Sequence, residues 1–309
     1  MTSFSQDVIF SFMLTSQIFS HFSFIEFYIF HNEITLTFKR TKMKLLKVFI
    51  PIILLALTVY YCSTVPITGR SQLNLISSSE MNAMSFQQYD EFLKQNKLSS
   101  NKNDVDMVKR VGARIQKSVE TYFAQHNLSN ELDGYQWEFN LVESNEVNAW
   151  CMPGGKVVVY TGILPVAKDE TGLAVVMGHE IAHAVAQHGN ERMSQGLLQQ
   201  LGGVALSVAL KDQPTTTQNI FMAAYGIGST VGIMLPFSRT HESEADHLGL
   251  IFMAMAGYNP NAAVDFWTRM AAGSQGAPPE WLSTHPSNET RIADIKKLLP
   301  EAMQYYNQK

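Results

Sequence analysis

His179-Glu180-Ile181-Ala182-His183 sets two imidazoles four residues apart, with a carboxylate beside the first. On a helix, residues four apart share a face, so both imidazoles can converge on one ion while Glu180 leans toward a water on that ion. This chemistry suits hydrolysis: a zinc held there would acidify a water toward a pKa of about 7 and polarise a carbonyl, and Glu180 would accept the water's proton. Glu180 then returns the proton to the leaving amine. The pattern arises by chance roughly 0.014 times in a chain of this length and composition. The plain alternative is an ordinary helix whose histidines are satisfied by neighbours. The apolar runs 173–178 and 184–186 argue against it, because they bury the helix and two unpaired imidazoles there are costly.

Catalytic zinc takes three protein ligands and leaves one position for water. A third histidine six residues after His183 is absent, since Ala186 and Gly189 occupy the positions of that pattern, and Gly202 and Gly203 stand where a glutamate about 20 residues downstream would lie. The ligand must come from farther along. The stretch 238–247 offers His241, Glu242, Glu244, Asp246 and His247, among which spacing does not choose. Glu242 and Asp246 are four apart, so one can bind the metal while the other orients a ligand imidazole from behind.

The elements that must position these residues are legible in outline. Val108, Val111, Ile115, Val119 and Phe123 predict an amphipathic helix over 104–126. Tyr135, Trp137, Phe139 and Leu141 alternate with polar residues as in a half-buried strand, and Pro153-Gly154-Gly155 introduces a second strand over 156–160, which together predict a small antiparallel sheet. The motif helix is expected over 169–187, with Gly189 at its stop. Further helical patterns occupy 190–210, 217–235, 240–256, 261–272 and 287–298. Residues 220–237 contain no charge, and their glycines favour a buried helix over a membrane segment. The expected class is α+β, mostly helical.

Composition narrows the setting. The 309 residues are 46% hydrophobic and 16% charged, so the chain is neither disordered nor a multi-span membrane protein. A net charge of −4 and the lack of a basic stretch interleaved with aromatics exclude nucleic acid as a partner. Two cysteines, Cys62 and Cys151, supply neither a disulfide framework nor a multi-cysteine zinc site. Residues 1–42 hold 9 of the 18 Phe without a lasting period, and are read as a spurious extension ahead of a start at Met43. Lys44 and Lys47 precede the apolar run 48–61, which is shorter than the ~20 residues that span a bilayer; residues 43–61 therefore read as a signal peptide, or else as an anchor. Cys62 follows at once, as the lipidated residue of a bacterial lipoprotein does, although Tyr60 and Tyr61 replace the usual small residues. Residues 62–309 are read as a single domain.

His179-Glu180-x-x-His183, Ser238-Arg239-x-x-Glu242-x-Glu244-Ala245-Asp246 and His285-Pro286 with Arg291 resemble the zinc endopeptidases grouped with HtpX and the CAAX prenyl proteases. Asn148-Ala149, Pro153-Gly154-Gly155-Lys156 and the opening Cys62-Ser-Thr-Val-Pro-Ile-Thr-Gly-Arg70 resemble its exported lipoprotein branch, which includes LoiP and BepA. The resemblance covers residues 62–300 and implies a zincin-like domain with one Zn2+ per chain, bound by His179, His183 and Glu242. It implies Glu180 as general base and Asp246 as support for a ligand histidine. It also implies His285 near the metal, as a donor to the oxyanion or as an inhibitory fourth ligand; Arg239 is the other candidate donor, and a helix cap is the plain role for His285. The strand at 148–152, beginning at Asn148 and Ala149, is implied to be an exposed edge for an extended peptide. The expected function is hydrolysis of misfolded or unassembled envelope proteins by an exported, membrane-anchored protease facing the periplasm. The alternative is a zinc-containing chaperone-like module that assists outer-membrane protein assembly.

Overall fold

The two histidines of the motif lie on a helix that is buried from Gly172 to Val185, and the rest of the fold is arranged around it. In the computed structural model, the described residues are 62–65, 68–201, 214–225, 227, 238–272, 285 and 290–307. The expected extension 1–42 and signal 43–61 lie outside them, as does most of the uncharged stretch 220–237. Among the described residues no helix is long and apolar enough to cross a membrane.

Two short strands, β1 (Cys62–Thr64) and β2 (Ser71–Leu73), pair antiparallel with Cys62 opposite Leu73. Helix α1 (Ser78–Gln95) follows, which the periodicity does not announce. Its start is nonetheless written locally: the Ser77 hydroxyl accepts from the Glu80 amide, and the Glu80 carboxylate accepts from the Ser77 amide. Helix α2 (Lys102–Gln125) buries Val108, Val111, Ile115, Val119 and Phe123, the five residues expected to form its inner face.

Three strands come next: β3 (Glu138–Val142), β4 (Ala149–Met152) and β5 (Lys156–Tyr160). The antiparallel pairing expected across the Pro153-Gly154-Gly155 turn is present between β4 and β5, and Gly154 and Gly155 take positive φ values of 75° and 82° that glycine adopts at little cost. The first strand differs from expectation, because β3 runs parallel to β5, which lies between β3 and β4. Alternation along β5 divides two cores: Val157 and Val159 join Leu141 and Val176 on one face, while Val158 and Tyr160 join Tyr89, Trp150 and Phe221 on the other.

After the short helix α3 (Leu164–Ala167), the motif helix α4 (Glu170–Val185) is capped by Asp169, whose side chain accepts from the Gly172 amide. It stops through Gln187, at φ 60°, and not at Gly189. Gly189 lies within α5 (His188–Leu201), where a Cβ would run into the Tyr225 ring. Helix α6 (Pro214–Ala224) buries Ile220 and Phe221. Helix α7 (Arg239–Met255), capped by Ser238, crosses α4 where Gly178 and Gly249 meet. A Cβ on Gly178 would stand 2.9 Å from the Gly249 carbonyl oxygen, so only glycine permits this approach. Helices α8 (Ala262–Ala272) and α9 (Arg291–Asn307) close the core over α4 and α7.

Candidate metal centre

The crossing of α4 and α7 brings His179 and His183 against Glu242, and His285 reaches the same point. One donor atom from each of the four lies within 4.8 Å of all the others. His179 Nε2 is 3.1 Å from His183 Nε2 and 3.5 Å from Glu242 Oε2, and His183 Nε2 is 3.4 Å from Glu242 Oε1. His285 Nδ1 is 3.0 Å from Glu242 Oε1 and 3.3 Å from His179 Nε2. All four residues are buried, as is Glu180, whose Oε1 lies 3.6 Å from His285 Nε2.

Asp246 lies behind His179: its Oδ1 is 3.0 Å from His179 Nδ1. When His179 is neutral, that contact keeps its proton on Nδ1 and leaves the Nε2 lone pair facing the cluster. Arg291, which has no expected role, joins the site from α9. Nε and Nη2 donate to the two oxygens of Asp246 at 2.8 Å, Nη1 lies 2.7 Å from Glu242 Oε2, and the guanidinium stacks 3.3 Å above the Trp267 ring. An arginine in the first turn of a polar-looking helix carries no signal of burial. The available hint was its place beside His285-Pro286 in the family pattern.

The remaining candidates of the 238–247 stretch are engaged elsewhere. Glu244 bonds His188, His241 bonds Glu191, and His247 pairs with Glu301 near the surface. Arg239 is exposed at the first residue of α7. Asn148 and Ala149 are buried, and the Asn148 side chain accepts from the Ala149 amide. β4 is an edge strand among the described residues, but the exposure expected of it is not found, because Ala149 and Cys151 pack into one core and Trp150 and Met152 into the other.

The donor set fits a divalent cation. When ionised, the carboxylates of Glu180, Glu242 and Asp246 against the guanidinium of Arg291 leave two negative charges in a buried space. Glu242 Oε2 is buried with no hydrogen bond, despite the nearby Arg291 charge. Burial pulls the His179 imidazole down, but Asp246 and Glu242 outweigh it and raise its pKa to about 9: the site favours positive charge at this point. Burial holds His183 well below the ordinary imidazole range, so its neutral form, the one that ligates, prevails.

Residues 109–299 match the model of peptidase family M48, and the chain belongs to that family. The kinship read from the motifs is thereby borne out. Over 169 residues the chain is 39% identical to the mitochondrial metalloendopeptidase OMA1 of Schizosaccharomyces pombe, covering 54% of this chain and 48% of that one. Over 249 residues it is 31% identical to the mitochondrial metalloendopeptidase OMA1 of Homo sapiens, covering 77% and 46%. Over 169 residues it is 30% identical to the beta-barrel assembly-enhancing protease of Escherichia coli K12, covering 52% and 34%. The chain thus spans about half the length, or less, of these relatives.

Proposed function

We propose that this protein is a zinc-dependent endopeptidase acting on unfolded or unassembled proteins of a cell envelope. The observation that carries the reading is Glu180 beside a buried set of two histidines and a glutamate, because a purely structural zinc site has no use for an adjacent base. His179, His183 and Glu242 would hold one zinc, which supplies Lewis acidity toward the scissile carbonyl and acidifies a water. Glu180 accepts the proton of the attacking water and delivers it to the leaving amine. Asp246 keeps His179 in the ligating tautomer, and Arg291 holds Asp246 in place.

His285 either donates to the developing oxyanion or occupies the fourth ligand position at rest. Its Nδ1 within the ligand set supports the second role. The same observation favours the alternative reading, a zinc-stabilised chaperone-like module, since four protein donors suit a structural site. For the substrate we propose an extended polypeptide added along β4 from Asn148 and Ala149, with Arg239 as a further contact. The edge position of β4 supports this. The apolar run 48–61 followed by Cys62 supports export and a lipid anchor facing the periplasm.

The test is cleavage of unfolded casein by the full-length chain in detergent, before and after removal of metal with a chelator and again after one equivalent of zinc. Cleavage, its loss and its return are expected. Casein left intact throughout by a chain that binds one zinc would favour the chaperone-like reading.

A further inference from the structure

The turn between β1 and β2, which ends the opening motif Cys62 to Arg70, contacts the site region through two charged side chains of α5 and α7. The Arg70 guanidinium forks between two carboxylates: Nη1 and Nη2 donate to Glu191 at 3.2 and 2.8 Å, and Nε donates to Glu244 Oε2 at 2.7 Å. The Thr68 hydroxyl donates to the other Glu244 oxygen. Glu244 Oε2 in turn is 3.1 Å from His188 Nε2, and His188 Nδ1 is 2.9 Å from His183 Nδ1. His188 is held from the side by His241, which stacks on it at 4.5 Å and bonds Glu191, the second carboxylate of the Arg70 fork.

The tautomers that satisfy this chain of contacts are fixed. His188 Nε2–H donates to Glu244, which leaves His188 Nδ1 as an acceptor for the Nδ1–H of His183. The Nε2 lone pair of His183 then faces Glu242 and His179. His183 is therefore supported through His188 and Glu244, as His179 is supported directly by Asp246. The strand pair is docked independently: Leu75 N donates to Ser194 Oγ, Asn190 Nδ2 donates to the Ile76 carbonyl, and Asn74 Nδ2 donates to Gln187 Oε1.

We infer that Arg70 is a positioning residue for the metal centre, acting through Glu244 and His188 on the ligating face of His183. The inference rests on the proposed ligand set. It gives the opening segment a part in the site, eight residues after Cys62.

The test measures the zinc dissociation constant of the full-length chain by competition with a chelating dye, together with the visible spectrum of the cobalt-substituted protein. Wild type is compared with Arg70→Met, Glu244→Gln and the double variant. Removing an outer partner of a ligand histidine weakens metal binding about 10–100-fold, so each single variant is expected to fall in that range with altered cobalt bands. The double variant is expected to lose no more than Glu244→Gln alone, because Arg70 acts through Glu244. Melting of the zinc-free proteins separates this from plain destabilisation. Should Arg70→Met unfold because Glu191 and Glu244 repel, the double variant and Thr68→Val, which deletes one donor to Glu244, carry the same comparison. Wild-type zinc affinity and unchanged cobalt bands in the folded variants would overturn the inference, as would losses that simply multiply in the double variant. A wild-type chain that takes up no zinc refutes the ligand set itself, an outcome visible without any variant.

Discussion

Gly249 lies against the backbone of His179: a Cβ at Gly249 would stand 2.9 Å from the His179 nitrogen and 3.1 Å from its Cα. The neighbouring atoms are backbone, which cannot swing aside as a side-chain end does. Two motifs separated by about 60 residues of sequence meet in one site because two glycines allow their helices to touch.

Gly249→Ala is therefore expected to push α7 away from α4. Overpacking of this kind costs about 1–3 kcal/mol, and it moves Glu242 relative to His179 and His183. Urea unfolding of the zinc-free chain should show that loss, and zinc affinity should fall with it. Unchanged stability would mean that the helices do not pack this closely.

Much of this arrangement is visible in the sequence. The inner face of α2, the motif helix and the course of α7 follow from periodicity; the caps Asp169 and Ser238 fix where the last two begin. The choice among His241, Glu242, Glu244, Asp246 and His247 does not, because it depends on partners far away in sequence: Arg70, His188 and Glu191 engage two of the five, and Glu301 a third. The parallel placement of β3 is equally hidden, since alternation reports a strand's faces and not its neighbours. Gln187 ends α4 where Gly189 looked the better stop, and Gly189 is needed for the approach of Tyr225.

Arg291 holds two buried carboxylates, and removing one partner of a buried ion pair costs about 3–5 kcal/mol. Arg291→Met should destabilise the zinc-free chain by about that much. Zinc should recover part of the loss, because a divalent cation compensates Glu242 and, through His179, Asp246. Unfolding with and without zinc checks both the size and the recovery.

Asp246→Asn replaces a carboxylate that accepts from His179 Nδ1 and from Arg291. Zinc affinity is expected to drop about 10–100-fold while the fold is retained. Dye competition measures the first and circular dichroism the second.

Glu191 and Glu244 also predict an acid response. Burial alone would raise their pKa values, but hydrogen bonds from His241 and Arg70 on the first, and from His188, Thr68 and Arg70 on the second, bring both to about 2. Carboxyls depressed by folding stabilise the native state fully above their unfolded value of 4.5, and that contribution disappears as pH falls toward 2. Arg70→Met should raise both pKa values and move the acid unfolding midpoint of the zinc-free chain upward. A midpoint that stays in place would show that Arg70 does not hold these carboxylates.

The central claim is that Glu180 is the base of a peptidase. Glu180→Gln keeps the shape of the side chain and removes its capacity to accept the proton. Wild type and variant should each bind one zinc per chain by elemental analysis, and only wild type should cleave unfolded casein. Cleavage by the zinc-loaded variant at the wild-type rate would contradict the account.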